Sequence, residues 1–291
     1  PGRDYLTSSP YFCDEIKEKN ARYASPEQHL WGSRDNWKNP FYLNSSAIFA
    51  SEIGYPGVPS AESIRRFIPV ASLDSRTQEN PDWLCHSTQP FGDSSGCYAY
   101  RVGLLHDLVK DFWGKDPEPL ESFVEASQIV QAEAMKYFIE NFRMRKGAKT
   151  GIIWWNMVDC WPQFSEAAVD YYGCRKLAFH YIRNVQQPVL MMFSEPEAWQ
   201  IRLHGINDLN HPCQVRYRVT DVETGTEALA GEALLEAGES KPVDAMKISQ
   251  GEQHIWRITY EYDGHAAINH YWQGNPPASP ELYRKWLAEF R

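Results

Sequence analysis

No stretch of about 18 apolar residues occurs in the 291-residue chain, so none reads as a membrane-spanning helix. The six cysteines, Cys13, Cys85, Cys97, Cys160, Cys174 and Cys213, form no CxxC pair and no zinc-finger spacing. They are also too sparse for a small disulfide scaffold. Cys85 and Cys97 bracket a Gly/Ser/Pro loop and are candidates to pair in an oxidising compartment. The nine histidines show neither HExxH nor clustered ligand spacing, so no zinc site is expected. GxGxxG, GxxxxGK[ST] and GxSxG are all missing, which argues against a nucleotide enzyme or an α/β-hydrolase. Basic residues are in deficit: 29 Lys and Arg face 38 Asp and Glu, for a net charge of -9. A protein that tracks nucleic-acid phosphates carries the opposite sign. The first residues, Pro1-Gly2-Arg3-Asp4, show no initiator Met and no signal-peptide pattern, and are expected to be an internal start.

What the chain has in excess is aromatic rings: 11 Trp, 16 Tyr and 13 Phe, 14% of all residues. Most rings are expected in the core, but such a load also suits ligands with flat apolar faces, sugars among them.

Two regions with different periodicity are expected. Residues 1–46 read as loop. Ser46-Ala47-Ile48-Phe49-Ala50-Ser51-Glu52 is a short apolar run ending in a carboxylate, a buried strand stopped by Gly54, Pro56, Gly57 and Pro59. Ser60 caps a brief helix, and residues 72–96 read as a long loop. A helix is expected over 98–113. Another carries Phe123, Val130, Ala134, Tyr137 and Met144 on one stripe, with Arg143, Arg145 and Lys146 near its C-terminus and Gly147 beyond. Gly151-Ile152-Ile153-Trp154-Trp155-Asn156 then reads as a strand of a parallel sheet, buried on both faces. After about residue 187 short alternating segments take over, at 199–203, 214–219 and 256–260. Turns at Glu223-Thr224-Gly225 and Asp263-Gly264 separate them, the pattern of an antiparallel sandwich. Residues 280–290 read as a closing helix with Leu282, Trp286 and Phe290 facing inward.

Two places carry candidate chemistry. Glu52 leaves a buried strand into a Gly/Pro loop, where it is either a working carboxylate or a cap on a neighbouring amide. Trp154-Trp155-Asn156-Met157-Val158-Asp159-Cys160-Trp161-Pro162 likewise ends a strand, and is either a ligand surface or a Trp-rich core corner.

Several segments carry a resemblance. Ser51-Glu52-Ile53-Gly54 resembles the S-E-[FYI]-G nucleophile segment of glycoside hydrolase family 2. Gly151–Pro162 resembles that family's G-[IV]-[LI]-x-W-x-x-x-D-x-W-P, and Asp170–Lys176 its D-Y-x-G-x-x-K. Ser8-Ser9-Pro10-Tyr11 and His29-Leu30-Trp31 resemble segments of the β-mannosidase branch. The match runs in order over nearly the whole chain. It implies the C-terminal part of a (β/α)8 TIM barrel over residues 1–185 and an immunoglobulin-like β-sandwich with a short C-terminal helix over 186–291. It implies a retaining exo-β-glycosidase, β-mannosidase- or β-galactosidase-like, with Glu52 as nucleophile. Trp155 would floor the sugar subsite, and His29, Trp31, Asn156, Asp159 and Trp161 would line or brace the pocket. Such chemistry needs a second carboxylate as acid/base. In the family this Glu follows an Asn, and no Asn-Glu precedes Glu52 here. The expectation is therefore a chain that begins after barrel strand 4 or 5 and is inactive alone. Its partners would be a glycoside substrate and the missing N-terminal part, with no cofactor, metal, nucleic acid or membrane. Export would follow if a longer protein carries a signal peptide. The alternative is a non-catalytic sugar-binding or structural module derived from such an enzyme.

Overall fold

The computed structural model describes residues 2, 5–32, 35–77, 79–87, 100–249 and 251–290. The elements in chain order are α1 (Asp14–Glu18), β1 (Glu27–His29), α2 (Pro40–Leu43), β2 (Phe49–Ile53), α3 (Ala61–Ile64), α4 (Pro81–Leu84), α5 (Arg101–Trp113), α6 (Leu120–Met144), β3 (Gly151–Trp154) and α7 (Leu177–Val185). Then come β4 (Val189–Phe193), β5 (Gln200–Asn207), β6 (Cys213–Asp221), β7 (Glu227–Leu235), β8 (Ser240–Lys247), β9 (His254–Tyr262), β10 (His265–Gln273) and α8 (Pro280–Phe290). Two units separate: Pro1–Phe138 with Gly147–Ile182, and Ile139–Lys146 with Arg183–Arg291.

In the first unit β1, β2 and β3 form a parallel sheet in that order. Parallel pairing aligns the three C-terminal strand ends on one edge, where His29, Glu52 and Trp154 sit. The pairing is irregular at one place. Gln28 faces Ala50, but His29 faces Glu52; on the other side Ala50 faces Ile152, but Ile53 faces Trp154. β2 therefore carries an extra residue at Ser51–Glu52 relative to both neighbours. Such a bulge re-aims side chains. Ala50 and Ile53, three apart, are both buried in consequence. Of the stripe expected on the long α6, Phe123, Val130 and Ala134 are buried and Tyr137 and Met144 only partly so; between Gln131 and Phe142 the helix is buried on nearly every side.

Three expectations are corrected in this unit. Residues 1–46 are not all loop, because they hold the short strand β1. The loop expected over 72–96 contains the helix α4, capped by the Asn80 side chain, which accepts from Asp82 N. Residues 88–96 of that loop, and Cys97 of the Cys85–Cys97 pair, lie outside the described residues. Finally, β3 is not buried on both faces: it is an edge strand, and Ile153 is 54% exposed.

The second unit holds two antiparallel sheets, β10-β9-β6-β7 and β4-β5-β8. Strict alternation on β6 buries Cys213, Val215, Tyr217 and Val219 and leaves Gln214, Arg216 and Arg218 outside. Met191 and Leu203 from the other sheet join Val215, Tyr217 and Ile258 in one apolar core, so the sheets form a β-sandwich. The β9–β10 hairpin turns at Asp263 and Gly264, both at positive φ, the signature of a two-residue primed turn. Pro242 lies in β8, an edge strand, beside a register shift; a residue without N–H is tolerated there. α8 buries Leu282, Tyr283, Trp286 and Leu287.

Candidate active site at the C-terminal edge of the parallel sheet

Glu52 sits at the end of β2 with its side chain 28% exposed. Two neighbours converge on one of its oxygens. Trp31 Nε1 donates to Glu52 Oε2 at 2.9 Å, and His29 Nδ1 lies 3.2 Å from the same atom. The backbone sets this up, since the Leu30 amide donates to the Glu52 carbonyl at 2.7 Å. Trp31 also needs room. A Cβ on Gly54 would lie 2.7 Å from the Trp155 carbonyl oxygen and 2.9 Å from Trp31 Cη2, so only glycine fits there.

Behind His29 stands a carboxylate that sequence reasoning missed. Glu27 lies two residues earlier on β1 and so shares the His29 face. Its Oε1 accepts from Ser9 Oγ at 2.7 Å and from Ser51 Oγ, and its Oε2 accepts from the Tyr11 amide at 2.8 Å. Ser9 Oγ is also 3.0 Å from His29 Nε2. Burial works against ionisation of Glu27, but the hydrogen bonds from Ser51, Ser9 and Tyr11, with His29 nearby, outweigh it and hold the carboxyl below its usual range. A strand of three residues between loops gives no periodic signal, so Glu27 was not legible in advance.

Trp155 continues β3 onto the same edge. Its amide donates to Ile53 O at 2.7 Å, the residue is 46% exposed, and its peptide bond to Asn156 is cis. The Asn156 carbonyl accepts from Ala168 N at 3.0 Å. Asp159 and Trp161 engage other partners. Asp159 is buried and accepts from Gln163 Nε2 at 2.7 Å and Ser165 Oγ at 2.6 Å. Burial pushes its pKa up, and Lys176, Ser165 and Gln163 pull against that rise. Trp161 stacks on His86, with ring centroids 5.8 Å apart, and His86 Nδ1 meets the Pro162 carbonyl at 2.6 Å.

A buried polar cluster holds the loop after β2. Lys176 is fully buried and donates to Gly57 O at 2.7 Å and Ser165 O at 3.3 Å. Burial lowers its pKa, while Asp159, Glu166 and Asp170 raise it. Glu166 takes both oxygens to Arg101 Nη1, at 2.7 and 2.8 Å. Gly57 packs directly on Gln131, where a Cβ would come within 2.4 Å of Oε1. Among the described residues no group of three or more His, Cys, Asp or Glu is arranged to hold a metal ion.

An ionisable group on an aromatic-lined edge, at the C-terminal ends of parallel strands, is the usual layout of an α/β enzyme site. No family model matches the chain. Curated relatives do. It is 25% identical over 287 residues to β-mannosidase B of Thermothelomyces thermophilus, a match covering 88% of this chain and 32% of that protein. It is 30% identical over 245 residues to β-mannosidase B of Aspergillus niger, covering 78% of this chain and 27% of that protein. Its fold matches the crystal structure of the β-D-mannosidase from Dictyoglomus thermophilum with a TM-score of 0.69 at 20% identity, over 88% of this chain and 31% of that one. The chain is thus a β-glycosidase relative. More narrowly, it is related to the β-mannosidases of glycoside hydrolase family 2, and it spans about a third of the length of those it matches.

Proposed function

We propose that the chain is the C-terminal part of a retaining exo-β-glycosidase, β-mannosidase-like, with Glu52 as the nucleophile of a double displacement. The parallel sheet would be the last strands of a (β/α)8 barrel, and the sandwich an immunoglobulin-like domain following it. The observation that carries this reading is the clamp on Glu52. Trp31 and His29 both hold Oε2, and Oε1 has no hydrogen bond among the described residues. A carboxylate so held is oriented, and keeps one oxygen to attack the anomeric carbon. The half-exposed Trp155, on the same sheet edge, would offer its ring face to the sugar, while Asp159 would brace the segment that follows Asn156 through Gln163 and Ser165.

The proton for the leaving group must come from a second carboxylic acid about 5–5.5 Å from the nucleophile in a retaining enzyme. Glu27 does not fit that part: a carboxyl held ionised by three donors has no proton to give. The acid is therefore assigned to a segment outside this chain. The test uses the 291-residue chain and a longer protein that includes it. The longer protein is expected to hydrolyse an aryl β-mannoside and to be labelled on the Glu52 peptide by a 2-deoxy-2-fluoro-β-mannosyl inactivator. The Glu52→Gln variant should lose turnover by on the order of 10⁴-fold or more. The 291-residue chain should show none. Turnover by that chain, lost in Glu52→Gln, overturns the assignment of the acid elsewhere; a label on another residue overturns the nucleophile.

A further inference from the structure

We propose that Glu27 is a positioning residue for Glu52, acting through Ser9 and His29. The argument is a count of protons along four side chains. Glu52 Oε2 accepts only, so His29 Nδ1, 3.2 Å away, must carry a proton. Ser9 has one hydroxyl proton and three acceptors within reach, Glu27 Oε1 at 2.7 Å, His29 Nε2 at 3.0 Å and Ser51 Oγ at 3.2 Å. An ionised carboxylate is the stronger acceptor, and the shorter contact is to it. Ser9 therefore donates to Glu27, and His29 Nε2 must then donate to Ser9 Oγ. Both ring nitrogens end up as donors, one aimed at each carboxylate of the sheet edge. The ring is fixed at both ends, and its Nδ1–H is held on Glu52.

Local geometry supports this arrangement. The register shift in β2 brings Ser51 onto Glu27 while Glu52 reaches His29, so one bulge supplies both ends. The Tyr11 amide fills the remaining Glu27 oxygen. Among the described residues, the charged groups recorded against the ring are Glu27 on its own strand and Glu52 on β2. The inference rests on the glycosidase reading for the role of Glu52, but not for the relation between Glu27 and His29.

The experiment is long-range ¹H–¹⁵N correlation spectroscopy at pH 7 on the full chain labelled with [¹⁵N]histidine. His29 is assigned by its absence in His29→Gln. The expected wild-type result is two protonated nitrogens on His29. In Ser9→Ala and in Glu27→Gln one proton should be lost, while the other eight histidines keep their signals. Ser9 lies in an exposed segment, so its variant decides the matter if Glu27→Gln fails to fold. A wild-type His29 with a single N–H, or variants indistinguishable from wild type at His29, overturns the proposal. Inactivator labelling away from Glu52, with His29 still responding to Glu27, would remove the glycosidase reading and leave the positioning relation standing.

Discussion

Replacing Lys176 by Met removes one buried positive charge at nearly constant length. The loss has two parts. The carbonyls of Gly57 and Ser165 forfeit a donor, and Asp159, Asp170 and Glu166 forfeit the cation among them. Glu166 retains Arg101, and Asp159 retains Gln163 and Ser165, so the uncompensated charge falls mainly on Asp159. Removing one partner from a buried ionic group costs about 3–5 kcal/mol, a large share of the roughly 5–15 kcal/mol that holds a domain together. The cost has a pH signature. Burial already raises the pKa of Asp159, and without Lys176 it rises further. A group whose folded pKa is raised contributes stability that is complete below its unfolded value and is lost as pH climbs through the folded value. Lys176 itself has a lowered pKa, so its own contribution is present at high pH and is lost as pH falls. The rise at Asp159 makes the Lys176→Met penalty smaller at pH 5 than at pH 7.5. Urea unfolding can be followed by tryptophan fluorescence, with Trp37 and Trp83 buried in the same unit. Adding Asp159→Asn to Lys176→Met should recover part of the loss. A penalty below about 1 kcal/mol at pH 7.5, a penalty equal at both pH values, or no relief from Asp159→Asn would refute the electrostatic account.

Other perturbations probe the remaining contacts. Gly54→Ala should cost about 1–3 kcal/mol, the usual range for overpacking, because the new methyl meets the Trp155 carbonyl and the Trp31 ring; wild-type stability in chemical denaturation would contradict it. Trp31→Phe deletes a hydrogen bond to a carboxylate, worth about 1.5–3 kcal/mol. Inactivator labelling of Glu52 in the longer protein should then slow roughly 10- to 150-fold; an unchanged rate would show that the indole N–H does not matter. In the sandwich, burial raises the pKa of Asp221, but His254 and the Thr224 and Glu223 amides lower it more, so it lies below its ordinary 3.8. Its stabilisation is present above that value and lost as pH falls through the folded one. The melting temperature of the second unit should drop below about pH 4, less steeply in Asp221→Asn; equal slopes would count against it.

The sequence exposes the features that repeat. The helix α6, the alternation of β6 and β9 and the Asp263-Gly264 turn are periodic or local, and each element appears where the pattern puts it, although α6 buries more than the expected stripe and leaves Tyr137 and Met144 partly exposed. β7 was hidden because Glu-Ala-Leu-Ala-Gly-Glu-Ala-Leu-Leu is built of helix formers, and only pairing with β6 makes it a strand. Glu52 stands out because a carboxylate ends an apolar run. The contacts that join its neighbour His29 to Ser9 and Glu27 do not, since they depend on a bulge and on a loop closing over β1. Trp161 shares a segment with Trp155, yet stacks on His86, because the chain turns between them.

The order of strands in the parallel sheet also sets an order in time. Thr150 hydroxyl meets Ile48 carbonyl across 102 residues of chain. Closing so long a loop costs about 4 kcal/mol of entropy beyond a constant. β9 and β10, by contrast, meet across a two-residue turn. Hairpins of the sandwich can zip up while β2 still waits for β3. The pairing of Trp155 N with Ile53 O, one residue past Glu52, is therefore made late, after the intervening helices have brought the distant strand home. Whatever the carboxylate does, it does only in a chain whose topology is complete.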